Sequence, residues 1–323
     1  MKILITGCAG FIGFHLTLKL SNKKNVTLYG IDNINNYYDV KLKKDRLKII
    51  KGNDSKFNFK KIDICDYSVL NNFFKKNKFD VVINLAAQAG VRNSIINPDA
   101  YFENNIKGFY NILDVSRKYK IKHLIFASTS SVYGSSRKFP LKEDHNTDKP
   151  LSFYAATKKT NEVMAYSYSN IYKLPCTALR FFTVYGPYGR PDMSLFLFTK
   201  NILESKKINL FNQGRHVRDF TYVDDIVNGI INAVKNIPKS EIPYSVYNLG
   251  SDSPHTLKKY LKIIESFSGK KSKVRLKSKQ AGDVYKTHAD VSNAKKNLGY
   301  KVNTKLEQGI EKFINWFKHY YKK

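Results

Sequence analysis

The sequence predicts an α/β protein: a doubly wound parallel sheet followed by a smaller, more irregular C-terminal lobe. Three observations carry that reading. Short apolar strands alternate with amphipathic helices through the first half, glycines Gly7, Gly10 and Gly13 join the first strand to the first helix, and proline and glycine punctuate the chain after Gly186. Alternation of this kind implies parallel strands, because each return to the same sheet needs a crossover helix.

The elements follow in order. Strands are expected at Lys2–Thr6, Val26–Ile31, Phe57–Ile62, Val81–Asn84 and His123–Ala127. Helical stretches lie near Phe11–Leu20, Val40–Ile50, Ser68–Lys76 and Pro98–Tyr119. A helix over Phe153–Tyr172 and a strand at Cys176–Phe181 complete the first unit, set at residues 1–180. The second unit, residues 181–323, has shorter elements, some of which are expected to return to the first sheet. Its last helix, from Lys305 to about Tyr320, places Ile310, Phe313, Ile314 and Phe317 on one stripe, with Trp316 packed beside them.

Composition narrows the class. At 323 residues the chain supports a sizeable core, with 42% hydrophobic and 25% charged residues. The three cysteines, Cys8, Cys65 and Cys176, are too scattered for a disulfide framework or a zinc site, so no metal is expected. Lys2–Thr6 already has a core-strand pattern, leaving no room for a signal peptide, and no apolar run approaches the roughly 20 residues that span a bilayer. A cytoplasmic address is expected. The net charge of +30 comes from lysines spread along the whole chain. Such lysines aid solubility and attract anionic substrates, and no nucleic-acid partner is expected. The densest run, Lys270–Lys279, contains Val274 and Leu276 in the alternation of a half-exposed strand.

The glycine segment Gly7-Cys8-Ala9-Gly10-Phe11-Ile12-Gly13 has a strand before it and a helix after it. Its glycines allow a tight turn, close approach of backbone to a pyrophosphate, and close packing of helix on strand. The helix N-terminus then offers free N–H groups to the anion. Asp32 ends the second strand, 19 residues after Gly13, where a carboxylate accepts bonds from both ribose hydroxyls and repels a 2′-phosphate. That favours NAD as cofactor, within a Rossmann-type sheet. Asp63 either receives the adenine amino group or caps a helix. Ala86 and Ala87, after the fourth strand, suit close passage of a dinucleotide.

Tyr154 and Lys158 share one helical face at i and i+4. A phenol with a reference pKa of about 10 is a poor base at neutral pH. A nearby ammonium and an oxidised nicotinamide favour its phenolate, which gives the spacing a purpose. Tyr37 and Lys41 repeat the spacing, so it proves little alone. What separates Tyr154 is Ser128-Thr129-Ser130-Ser131, about 25 residues upstream at the end of the fifth strand, where parallel sheets gather their ligands. Tyr37 is expected to have no such partner.

These motifs resemble the extended short-chain dehydrogenase/reductase superfamily of nucleotide-sugar enzymes, over essentially the whole chain. Arg218-Asp219-Phe220-Thr221-Tyr222-Val223-Asp224-Asp225 and Gly282-Asp283-Val284 extend the likeness. Within the superfamily the chain is most similar to the UDP-glucuronate 4-epimerases, through Gln88-Ala89-Gly90-Val91-Arg92, Arg180–Pro187 and Gly189-Arg190-Pro191-Asp192-Met193. The resemblance implies transient oxidation at C4 of the sugar, with Tyr154 as base, Thr129 bonding the same oxygen and Lys158 holding the nicotinamide ribose. Related dehydratases place Asp-Glu after that threonine and decarboxylases keep a Glu, whereas this chain has Ser130 and Ser131. Neutral-sugar epimerases usually carry Asn where this chain has Thr183. Three hydroxyls suit a substrate carboxylate. Arg218 is expected to meet the UDP diphosphate and Asp283 the uridine ribose. Arg190 and Arg92 are expected either to touch substrate or to form structural ion pairs. Relatives often carry an arginine just before the Gly-Asp, where this chain has Lys279-Gln280-Ala281. A smaller lobe that binds the nucleotide sugar, a homodimer through the helices near 98–119 and 153–172, and a role in polysaccharide biosynthesis are implied in the same way.

Overall fold

The computed structural model describes residues 1–280 and 282–323; Ala281, in the segment before Gly282, lies outside the described residues. Among the described residues twelve strands run in chain order: β1 Lys2–Thr6, β2 Thr27–Asp32, β3 Asn58–Lys61, β4 Val81–Asn84, β5 His123–Thr129, β6 Cys176–Phe181, β7 Thr183–Tyr185, β8 Lys207–Leu210, β9 Val217–Tyr222, β10 Tyr244–Leu249, β11 Pro254–Thr256 and β12 Lys273–Leu276. Seven of them form one parallel sheet in the order β10-β6-β5-β4-β1-β2-β3. The order reverses between β1 and β4, and such a switch point opens a crevice at the carboxyl ends of the strands. β10 comes from the second half of the chain, so the two halves share a sheet. Two smaller sheets are β11-β9-β7 and β12-β8; Thr183 and Val184 of β7 and Arg218 of β9 line the crevice.

The central strands are buried on both faces: Ile3, Leu4, Ile5, Val82, Ile83, Leu124 and Ile125 are essentially inaccessible. That is the reason their sequences run as continuous apolar stretches. The last helix, Leu306–Tyr321, buries Ile310, Phe313, Ile314 and Phe317, and Trp316 stacks on Tyr320 and packs against Tyr188.

Three expectations change. The stretch expected as one helix near Pro98–Tyr119 is helical at Pro98–Tyr101 and Gly108–Lys118, but Phe102–Lys107 between them is a π-helix. The cause is visible: Asn161 donates to the Asn105 carbonyl, and the Asn105 side chain bonds Gln88 and Thr157, drawing that turn out of the regular ladder. β12 is exposed on both faces rather than half-exposed, because its only ladder is with β8 and neither Val274 nor Leu276 faces a core. β5 runs on to Thr129, and Ser130–Tyr133 form a 3-10 turn.

Candidate active site

The carboxyl ends of β1, β2, β4, β5 and β6 open into one cleft of about 420 Å³, within the size range of ligand pockets. Its floor at β1 is the glycine turn. Gly7 has φ of 68°, and a Cβ there would lie 2.8 Å from the Ala86 nitrogen. A Cβ on Gly13 would overlap the Gly7 carbonyl, so the helix Phe11–Ser21 packs onto the turn only without one. Gly7, Gly10, Phe11, Ile12 and Gly13 all line the cleft, as do Ala86 and Ala87. A turn this tight, at a helix N-terminus and with glycine at three of its seven positions, fits a dinucleotide pyrophosphate.

Asp32 accepts from the Ala9 and Ile34 amides at 3.1 and 2.8 Å, and burial pushes its pKa up against those bonds and the nearby Lys43 charge. Lys43 is anchored on Asn35 at 2.6 and 2.7 Å. Asp63 accepts from Asn33 and the Cys65 amide. The helix Tyr67–Asn77 is capped by Asp66, so capping is not what Asp63 does. It lines the cleft instead.

Tyr154 and Lys158 lie on helix Phe153–Tyr172, which Ser152 caps by accepting from the Ala155 amide. The Lys158 ammonium donates to the Ala127 carbonyl at 2.8 Å, and burial pulls its pKa down to about 8 although Glu162 draws it upward. Burial raises the Tyr154 pKa, and the Thr129 hydroxyl and Arg190 oppose that rise. Lys158 is engaged with the strand backbone. Thr129 receives the Ser131 amide at 3.2 Å, while its own hydroxyl lies 3.3 Å from Ser131 Oγ. Thr129, Ser130, Ser131, Tyr154, Lys158 and Thr183 line the same cleft.

On the second-half side, Arg218 donates to the Val217 and Tyr285 carbonyls, and burial pulls its pKa down to about 10 against the pull of Asp283. It remains a desolvated cation at neutral pH, a state that an anion relieves. Arg218 and Asp283 line the cleft; Arg92 is not among the lining residues, pairing with Asp283 at 3.5 Å and lying over the Phe211 ring. Arg190 lines the cleft and pairs with Asp192 while also reaching the Ala89 carbonyl.

Tyr37 also reaches the cleft, through other contacts. Its hydroxyl reaches toward Asp192 at 3.4 Å, its ring lies under Arg190, and it lines the same cleft as Tyr154. Lys41, by contrast, is turned outward to Asp45. Sequence reasoning passed over Tyr38, Lys43 and Asn104, and named Gln88 and Met193 only as part of the resemblance and not as lining residues. The signal for Tyr38 was its place in the loop after β2, since loops at strand carboxyl ends line the crevice, and Lys43 lies in the first turn of the helix Val40–Asn53 that follows. Among the described residues no cluster could hold a metal ion, and no helix is long and apolar enough to cross a membrane.

A glycine turn at the switch point of a parallel sheet, facing a tyrosine–lysine helix and a threonine strand end, is the arrangement of an extended short-chain dehydrogenase-type enzyme. The chain belongs to the NAD dependent epimerase/dehydratase family, whose model matches residues 3–250. It is 48% identical to Protein CapI of Staphylococcus aureus, with both chains covered in full. It is 42% identical to UDP-glucuronate 4-epimerase 2 of Arabidopsis thaliana, over 100% of this chain and 77% of that one. The crystal structure of UDP-glucuronic acid 4-epimerase from Bacillus cereus, in complex with UDP-glucuronic acid and NAD, superimposes with a TM-score of 0.93 at 34% identity, covering 99% of this chain and all of that one.

Proposed function

We propose that this protein is an NAD-dependent UDP-glucuronate 4-epimerase that interconverts UDP-glucuronate and UDP-galacturonate. The observation that carries the reading is the hydroxyl set Ser130, Ser131 and Thr183 lining one cleft with Thr129, Tyr154 and Lys158. Similarity to enzymes of that name supports it.

Gly7, Gly10, Phe11, Ile12 and Gly13 hold the pyrophosphate of NAD, Asp32 its adenosine ribose, Asp63 the adenine, and Ala86 and Ala87 allow its passage across the sheet. When bound, NAD supplies a reversible hydride acceptor at C4 of the sugar. Tyr154, as phenolate, takes the proton of the C4 hydroxyl and later returns one; Thr129 bonds the same oxygen. Lys158 holds the nicotinamide ribose. Arg218 bonds the diphosphate, Asp283 the uridine ribose, and Arg190 the substrate side of the cleft; Arg92 supports Asp283 through their ion pair.

The 4-keto intermediate carries its carboxylate on C5, which makes it a β-keto acid prone to losing carbon dioxide. Ser130, Ser131 and Thr183 bond that carboxylate without repelling it and keep its C–C bond poorly aligned with the carbonyl π system. Residues 1–180 hold the cofactor and supply the groups that act on C4 and on part of the carboxylate, and 181–323 form the lobe that binds the nucleotide sugar. Exposed Phe102, Tyr110, Val163 and Tyr166 on the helices near 98–118 and 153–172 support a homodimer through those helices. A cytoplasmic enzyme supplying activated galacturonate for polysaccharide synthesis fits this chemistry.

The test is incubation of the purified protein with UDP-glucuronate, UDP-glucose and UDP-N-acetylglucosamine separately, with products read by NMR and mass spectrometry. UDP-galacturonate is the expected product. Turnover of a neutral UDP-sugar without turnover of UDP-glucuronate sinks the reading, and a UDP-pentose as main product replaces it with decarboxylation.

A further inference from the structure

Behind the reacting groups, strand register sets three polar side chains in one row. Arg180 on β6 has Asn248 of β10 on one side and Ser128 of β5 on the other. Helix Phe153–Tyr172 lowers Glu162 onto this row, one turn beyond Lys158. Arg180 Nε and Nη2 donate to the two oxygens of Glu162 at 2.9 and 2.8 Å, and both side chains are only 4% exposed. Ser128 donates to Glu162 at 2.5 Å. Arg180 Nη1 reaches the Tyr133 hydroxyl and the Glu143 carbonyl at 3.0 Å, and Tyr133 donates onward to Asn248 at 2.6 Å.

Each end of this network adjoins a different part of the site. Ser128 precedes Thr129. Tyr133 closes the 3-10 turn that begins at Ser130 and includes Ser131. Arg180 sits on the strand that leads to Thr183, and Glu162 shares a helical face with Tyr154 and Lys158. A buried ion pair is a poor way to gain cohesion, because apolar residues of similar volume often match or exceed it. What apolar packing does not supply is direction: fixed bond vectors between four separate segments.

We infer that the Arg180–Glu162 pair is a positioning device that holds the hydroxyls of Ser130, Ser131 and Thr183 in register with Tyr154, and thereby keeps the 4-keto uronate from decarboxylating. The inference rests on the function proposed above. Decarboxylation needs the bond from C5 to the carboxylate to swing parallel to the carbonyl π orbitals. That bond then breaks, its electron pair enters the enolate of the C4 ketone, carbon dioxide leaves, C5 takes a proton from water to give a 4-keto pentose, and return of the hydride first taken from C4, with a proton on the C4 oxygen, gives the UDP-pentose. The network resists the swing by limiting how far the turn Ser130–Tyr133 and the segment after β6 can drift from the helix.

The experiment compares the wild-type holoenzyme with the double variant Arg180→Met, Glu162→Leu, and with Tyr133→Phe, which removes only the hydroxyl that bridges Arg180 to Asn248. Thermal unfolding, NAD affinity by calorimetry, kcat and KM, and the ratio of UDP-pentose to UDP-galacturonate are read for each. The double variant is expected to fold and bind NAD as wild type does, to lose about 100-fold in kcat with little change in KM, as small displacements of reacting groups do, and to raise the UDP-pentose share severalfold. Tyr133→Phe moves kcat and the product ratio the same way, by less. Wild-type product ratios in a folded, NAD-binding double variant overturn the inference, and if that variant does not fold, a wild-type ratio in Tyr133→Phe overturns it. Wild-type enzyme that leaves UDP-glucuronate untouched sinks the proposed function, and this inference with it.

Discussion

Two arginine–carboxylate pairs bracket the cleft, and they are built in opposite ways. Beneath it, Arg180 and Glu162 come from a strand and a helix, are buried, and share bonds with Ser128 and Tyr133. At its mouth, Arg190 and Asp192 are two residues apart in one loop, with the Asp192 side chain 38% exposed. A pair spanning elements fixes them relative to each other. A pair within a loop fixes only the loop, and solvent screens what it contributes. The lower pair is therefore expected to govern stability and alignment, and the upper one to govern the ligand.

Removing one carboxylate from each pair is the most direct way to break that comparison. Glu162→Ala leaves the Arg180 charge buried and unpaired, and is expected to cost about 3–5 kcal/mol in urea unfolding. Asp192→Ala is expected to cost under about 1 kcal/mol, since its partner keeps access to water and to the Ala89 carbonyl. Equal losses from the two variants would erase the distinction.

The response to acid sharpens it. The buried region also holds His123, bonded to Thr177 at 2.8 Å, whose pKa burial lowers from 6.5 to about 4. The folded protein keeps this ring neutral, so as pH falls through 6.5 the unfolded chain takes up the proton first. Stability then declines until about pH 4, where the folded state is protonated too and the loss levels off. The total from this one ring is at most about 3 kcal/mol. His123→Gln should lessen the slope of urea midpoints across that window without abolishing it, because burial lowers the His15 and His216 pKa values to about 4 as well; an unchanged slope would remove His123 as a source.

Most of the sheet was legible in the sequence, because the strands of a two-sided parallel sheet are continuous apolar runs, and the glycine turn announces itself by spacing. Tyr154, Lys158 and the Ser128–Ser131 segment were legible for a related reason: each belongs to a regular element or its end. The π-helical turn at Phe102–Lys107 was not, since it depends on Asn161, more than fifty residues later, taking the Asn105 carbonyl. The place of Tyr37 in the cleft was not legible, because its neighbours, Asp192, Arg190 and Tyr101, are supplied by tertiary contact and not by spacing. The Arg180–Glu162 network is likewise a product of strand register, which no local pattern encodes.

A smaller effect probes the upper pair through its arginine. Arg190→Ala is expected to lower kcat/KM for UDP-glucuronate about tenfold, equivalent to about 1.4 kcal/mol of transition-state binding, while unfolding moves by less than that. A loss of stability exceeding the loss of activity would assign Arg190 to the scaffold.

The smallest expected effect belongs to Tyr37→Phe. Its hydroxyl is 3.4 Å from Asp192, at the outer limit of a hydrogen bond, while its ring lies 5.7 Å beneath the Arg190 guanidinium. Phenylalanine keeps the ring and its attraction for the cation, losing only the long contact, so stability should shift by no more than about 0.5 kcal/mol. Steady-state kinetics should change about twofold or less, since the guanidinium keeps both of its bonds to Asp192. A fall of two orders of magnitude would mean that the hydroxyl, and not the ring, sets where Arg190 points. The mouth of the cleft would then be a cross-element network after all, built on the same plan as the pair beneath it.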